Sequence, residues 1–226
     1  MRFELINKGS FDFILVISAG FAQSKEVFTS LVDNKIALAV AYDWRLQESF
    51  TNEFLANYEK IGLLAWSLGV KMAGLPLSGF EHKLSYAIAY NGTIEGIYKG
   101  RGINPRAYDL TLKNFSEQTF FRFLEKMCAS KEDFERYLKL RGPFFSLESY
   151  KEELMFLKYS KAYPLNYDEA VIGLADSIFP PLCQQESWEN CGKTPVLDKI
   201  PHSFHYDPTA LSTICAKILS KTIGKN

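Results

Sequence analysis

The sequence predicts an α/β fold, a mostly parallel sheet with helices on both faces and a helical lid insertion late in the chain. Three observations predict it. The strand-like runs of the first half are apolar throughout, as strands buried on both faces are. They alternate with short segments of helical periodicity. A stretch from about residue 113 to 160 then has helical spacing and no strand. A chain of 226 residues holds this architecture as one domain over 1–226.

The elements follow in order. FDFILVIS, Phe11 to Ser18, is dense in β-branched and aromatic residues and reads as a buried strand ending in the small-residue turn AGFAQ. Ser24 precedes KEVFTSLV, a capped helix with Val27 and Leu31 on its apolar side. KIALAVAYDW is a second strand, EFLANYEKI a short amphipathic helix and GLLAW a third strand. A helix opening LGVKMAGL follows Ser67, and LSYAIAYNGT is a fourth strand ending at Asn91 and Gly92. From Phe115 to Tyr159 aromatics and charges of both signs fall at helical spacing. EAVIGLAD and the segment near PVLDKIP restore two strands, and PTALSTICAKILSKTI is a closing amphipathic helix.

Composition excludes several classes of function. Apolar residues make up 47% and charged residues 23%, as in an ordinary globular protein. Lysine and arginine (26) balance aspartate and glutamate (26), which argues against general binding to nucleic acid or membrane surfaces and leaves only local electrostatic recognition. The opening MRFELINKGSFDFILVIS is broken by charges and reads as neither a signal peptide nor a membrane span. The four cysteines, Cys128, Cys183, Cys191 and Cys215, form no C-x-x-C pair and read as buried or partly buried free thiols of a reducing cytoplasm. CGKT has Ser187 where a phosphate loop needs glycine, KGRGINPR reads as a surface loop, and NGT at Asn91 reads as a turn. Three histidines with no carboxylate spacing suggest no metal, and no cofactor is expected.

The chemistry centres on residues 61–70, IGLLAWSLGV. An apolar strand stops at Ser67 and a helix begins at once, flanked two residues either way by Ala65 and Gly69. A nucleophile elbow, G-x-S-x-G, needs small residues there because strand and helix crowd around a strained turn. A serine hydroxyl needs a base, and histidine suits neutral pH. His82 comes too early and reads as exposed; His202 and His205, in IPHSFHYDP between the last strand and last helix, lie where the base belongs. Asp176 ends the strand AVIGLAD at the same sheet edge and is the candidate orienting acid, with Asp198 and Asp207 as alternatives; Asp168 falls at the wrong end. An oxyanion would take backbone N–H groups from Leu68, after the serine, and from Phe21, between Gly20 and Ala22.

Six segments in this order, SAGFAQ, AYDWR, LLAWSLGV, IAYNGT, DSIFPPLCQQESW and PHSF, resemble the BioG-type pimeloyl-ACP methyl ester carboxylesterases, small α/β-hydrolases of biotin synthesis, over nearly the whole chain. The resemblance implies an α/β-hydrolase-like fold and hydrolysis of the methyl ester of pimeloyl-ACP to pimeloyl-ACP and methanol. By position it implies Ser67 as nucleophile, Asp176 as acid and His202, which heads H-S-F, as base. Two positions depart from the family: Phe21 stands where tryptophan is usual, and Cys183-Gln184-Gln185 follows the acid loop where N-Q is usual. The implied partner is an acidic acyl carrier protein, so a local basic patch is expected, with Arg122, Lys126, Arg136, Lys139 and Arg141 as candidates. Phe115, Phe120, Phe121, Phe123, Phe144 and Phe145 are candidates to line an acyl channel. The alternatives are a carboxylesterase or thioesterase of other acyl groups and a non-catalytic hydrolase-fold binding protein.

Overall fold

A computed structural model describes residues 1–29, 35–45, 50–203 and 206–224. Seven strands form one sheet in the order β1-β3-β2-β4-β5-β6-β7. They are β1 (Arg2–Asn7), β2 (Phe13–Ser18), β3 (Ala37–Tyr42), β4 (Lys60–Trp66), β5 (Leu84–Tyr90), β6 (Glu169–Ala175) and β7 (Val196–Pro201). Among the described residues only β1 runs antiparallel, along β3, and every other neighbouring pair is parallel. Every residue of β2 and β3 is buried, which explains their unbroken apolar sequence. β1 was not expected as a strand. It is a half-buried edge strand in which polar and apolar residues alternate from Arg2 to Leu5, before the register shifts between Leu5 and Asn7.

The helices are α1 (Glu26–Thr29), α2 (Gly69–Met72), α3 (Pro105–Lys113), α4 (Glu117–Met127), α5 (Lys131–Leu140), α6 (Leu147–Tyr159), α7 (Pro181–Asn190) and α8 (Pro208–Ile223). α8 lies across β2, β4 and β5, α2 packs on β2 and β4, and α7 packs on β6. Helices α3 to α6 all fall between β5 and β6, so the helical segment begins before residue 113. Asn104 caps α3 from the position before Pro105, a start signal inside a stretch read as loop. Ser116, Ser130 and Ser146 cap α4, α5 and α6 by accepting from the third backbone N–H of each helix, each contact worth about 1 kcal/mol. α7, absent from the sequence reading, starts with proline at its first position.

Other elements differ in detail. EFLANYEKI gives only a 3₁₀ turn at Glu53–Asn57, because β4 claims the chain from Lys60. Ser24, expected to cap the first helix, instead donates its hydroxyl to the Arg141 carbonyl at 2.5 Å. Leu31 lies outside the described residues. The cysteines are free thiols, with Cys215 buried, Cys128 and Cys183 half-buried and Cys191 exposed rather than covered. No helix among the described residues is long and apolar enough to cross a membrane.

Candidate active site

Ser67 follows the last residue of β4 and precedes α2 by two residues, so it stands where the central parallel strand turns into a helix. Its φ is +58°, a left-handed conformation that costs a non-glycine residue of order 1–3 kcal/mol. The turn is held by Ser67 N–H donating to the Tyr90 carbonyl at 3.0 Å and by Val70 N–H donating to the Ser67 carbonyl at 3.1 Å. Lys71, on the same helix, is buried and donates to the Leu157 carbonyl at 2.7 Å. Burial pushes its ammonium down to about 8.

The C-terminal ends of β6 and β7 bring two more groups to this corner. His202 Nε2 lies 3.1 Å from Ser67 Oγ, and His202 Nδ1 lies 2.9 Å from Asp176 Oδ2. An ionised carboxylate only accepts, so this contact puts the ring proton on Nδ1 and leaves Nε2 to accept from the serine hydroxyl. The imidazole is buried between Trp66, at 4.9 Å between ring centroids, and Phe179, at 6.0 Å and nearly parallel. Asp176 is held in turn. Its Oδ1 accepts from Ile178 N–H at 2.8 Å and Phe179 N–H at 2.9 Å, while Oδ2 also accepts from Gln184 Nε2 at 3.1 Å. Gln184, in the corner that departs from the family pattern, thus supplies a hydrogen bond to Asp176.

The remaining histidines fall elsewhere. His82 is exposed before β5, and His205 lies outside the described residues. Asp198 is on exposed edge strand β7, and Asp207 caps α8 through Thr209 N–H at 2.8 Å. Asp168 bonds to Ala87 N–H at 2.9 Å, at the opposite end of β6 from Asp176.

The loop after β2 passes against the serine. A Cβ built on Gly20 would sit 2.8 Å from Ser67 Cβ, so only glycine lets this loop come so close. Phe21 and Leu68 border the same cavity as Ser67. Among the described residues neither the Phe21 N–H nor the Leu68 N–H has a protein acceptor. The cavity measures about 470 Å³ and is lined by residues that include Tyr108, Phe115, Phe123, Leu154 and Ile178. The candidate channel aromatics therefore divide: Phe115 and Phe123 line this cavity, whereas Phe120, Phe121, Phe144 and Phe145 line a second one of about 220 Å³.

The basic candidates divide as well. Arg122 and Lys126 are exposed on α4 and border the serine cavity. Lys139 is exposed on α5, and Arg136, also exposed, donates to the Tyr206 carbonyl at 3.1 Å and lies 3.4 Å from Asp133. Arg141 corrects the expectation: it is 1% exposed and offers no docking surface. Its guanidinium turns inward, bonded to the hydroxyls of Tyr150 and Tyr137 and 3.4 Å from the centroid of the Phe144 ring. That aromatic cage offsets part of its desolvation.

Comparison with known proteins gives the chain's family. The family described as pimeloyl-ACP methyl esterase BioG matches residues 1–206. The chain belongs to the BioG family. It is 32% identical over 214 residues, 92% of its length, to a malonyl-[acyl-carrier protein] O-methyltransferase of Bacteroides fragilis, and spans only 42% of that relative. It is 31% identical over 154 residues to an uncharacterized protein of Haemophilus influenzae, covering 67% of this chain and 70% of that one. The crystal structure of BioG from Haemophilus influenzae superposes with a TM-score of 0.75 at 25% identity, over 91% of this chain and 94% of that one. An enol-lactonase from Burkholderia xenovorans shares the fold at 12% identity and a TM-score of 0.65, over 96% and 95% of the two chains. The BioG chain thus has an α/β-hydrolase fold.

Proposed function

We propose that this BioG chain is a serine carboxylesterase that hydrolyses the methyl ester of pimeloyl-ACP to pimeloyl-ACP and methanol in biotin biosynthesis. The observation that carries the reading is the unbroken line Asp176 Oδ2, His202 Nδ1, His202 Nε2, Ser67 Oγ, with links of 2.9 and 3.1 Å and with Ser67 bordering a mostly apolar cavity.

Ser67 Oγ attacks the ester carbonyl carbon as His202 Nε2 takes the hydroxyl proton. The Phe21 and Leu68 N–H groups stabilise the negative oxygen of the tetrahedral intermediate. Collapse breaks the bond to methoxide, which leaves as methanol with the proton from His202. Water then attacks the acyl-enzyme, His202 takes its proton, and that proton returns to Ser67 Oγ as the acid is released. Asp176 keeps Nδ1 protonated and stabilises the imidazolium in both halves.

The family's name supports this substrate class, and the Bacteroides fragilis relative, named as a malonyl-[acyl-carrier protein] O-methyltransferase, fits a methyl ester borne on such a carrier. Arg122 and Lys126 at the cavity rim supply local positive charge on a chain of zero net charge, suited to an acidic carrier. The test is hydrolysis of pimeloyl-ACP methyl ester beside shorter and longer carrier-bound esters and a small ester. Preference for the pimeloyl length supports the proposal. Equal rates at all lengths would make the chain a general esterase, and no turnover of any ester would leave a binding protein.

A further inference from the structure

Glu153 lies in the middle of α6, in the helical insertion, and is 2% exposed. The steps described above make no use of it. Burying a carboxyl group is costly, and burial, aided by nearby Asp43, pushes Glu153 up to about 8. Its two oxygens accept from two backbone amides. Oε2 takes the Ala22 N–H at 3.3 Å and Oε1 takes the Trp44 N–H at 3.1 Å. Ala22 directly follows Phe21 and has φ of +61°, a strained conformation for alanine. Its other side is held too, since Tyr137 on α5 donates its hydroxyl to the Ala22 carbonyl at 3.1 Å. Trp44 closes the frame by donating its indole N–H to the Ala19 carbonyl at 2.9 Å. Two loops that follow parallel neighbours, β2 and β3, thus converge on one side chain of the insertion.

We infer that Glu153 is a positioning residue that fixes the oxyanion loop, holding the strained Ala22 so that the Phe21 N–H stays aimed at the position above Ser67. The insertion is then a built-in support for the catalytic loop as well as a cover over the cavity. The inference rests on the reading of Phe21 N–H as an oxyanion donor and is independent of which acyl group is cleaved.

The test replaces Glu153 by glutamine, whose amide keeps one acceptor and turns a donor toward the other N–H. On p-nitrophenyl butyrate, kcat should fall about 10- to 100-fold with KM within about twofold, a share of what losing an oxyanion donor costs. Affinity for butylboronic acid, a tetrahedral mimic, should fall in step. Hydrogen exchange at the Ala22 amide should speed up while that of the sheet amides does not. Glu152→Gln, one residue away, exposed and touching the loop only through a 3.9 Å ion pair with Arg45, should behave as the wild type. A folded Glu153→Gln protein with wild-type kcat overturns the inference, as does faster exchange spread evenly over the whole chain. Should Glu153→Gln not fold, Tyr137→Phe, which frees the Ala22 carbonyl, decides it: a several-fold loss of kcat at constant KM supports the inference and wild-type kcat overturns it. A wild-type chain that cleaves the butyrate but not the carrier-bound ester removes the pimeloyl substrate and leaves this inference standing. A chain that cleaves neither removes both.

Discussion

The side chain of Asn91 holds the main chain of His202. Its Nδ2 donates to the His202 carbonyl at 3.0 Å and the Pro201 carbonyl at 2.7 Å, while its Oδ1 accepts from Gly173 N–H at 2.6 Å. One buried amide at the end of β5 thus ties β6 to the loop after β7, and Trp66 Nε1 adds a bond to the same His202 carbonyl at 2.7 Å. Asn91→Ala takes this partner from the Gly173 N–H of β6 and from the Pro201 carbonyl, each loss costing about 1–3 kcal/mol, while the His202 carbonyl keeps only its bond from Trp66. The expected outcome in urea denaturation is a loss of about 2–4 kcal/mol, with a fall in kcat as the imidazole loses its footing. Wild-type stability and turnover in this variant would refute the tie.

Ser67→Ala should abolish labelling by a fluorophosphonate and lower turnover by on the order of 10⁴-fold or more. Asp176→Asn should retain the fold yet lose about 10⁴-fold in kcat, since an amide no longer fixes the imidazole tautomer. Labelling that survives in Ser67→Ala would place the nucleophile elsewhere.

Crowding at the elbow is one-sided. A Cβ on Gly69 would stand 2.2 Å from the Ser18 carbonyl oxygen, a backbone atom that cannot turn aside. Gly69→Ala should cost at least about 3 kcal/mol or leave the protein insoluble. Ala65, at the other small position, already carries a methyl group in a fully buried site. Ala65→Gly should be soluble and active, losing only about 1 kcal/mol for glycine within a strand. Thermal melts of the two variants separate the outcomes, and equal tolerance of both would contradict the packing.

Charge reversal at Arg122 and Lys126 together should lower kcat/KM on carrier-bound ester at least about tenfold at low salt, and less at high salt, because exposed charges are screened. Hydrolysis of a small ester should stay within about twofold, since neither charge touches Ser67, His202 or Asp176. Equal losses on both substrates would remove the docking role.

The legible parts of the fold were those whose cause is local. Apolar runs such as ALAVAY and FILVIS announce buried parallel strands because no polar face interrupts them. The crowded turn at Ser67 shows in its small neighbours, and the strands put Asp176 and the pair His202 and His205 at one sheet edge, where only the family resemblance prefers His202. Hidden features depend on contacts distant in sequence. Asn91 read as a turn because its partners lie 82 to 111 residues away. Arg141 reads in the sequence as a docking charge and Glu153 does not stand out, because nothing nearby in sequence shows the tyrosine cage of one or the two amides awaiting the other. The cue that could have found Glu153 is its place on α6, between buried Tyr150, Leu154 and Leu157.

The buried carboxyl of Glu153 also leaves a mark on stability. Burial first and then Asp43 raise it from an ordinary glutamate value near 4.5 to about 8, against the Trp44 and Ala22 N–H groups and Arg45, which favour the charged form. The Met1 ammonium senses Glu153 as well. Between those limits the native chain keeps a proton that the unfolded chain has released, so stability falls as pH rises. Its contribution is fully present below about pH 4.5, declines through neutrality and levels off above about pH 8. Glutamine at this position does not titrate. Glu153→Gln should therefore be the less stable protein at pH 5, where it lacks one acceptor, and the gap to wild type should narrow steadily toward pH 8. Thermal melts of both proteins across pH 5 to 8 measure that gap. A constant difference would mean that the folded carboxyl titrates where the unfolded one does, and that its burial costs nothing in protonation.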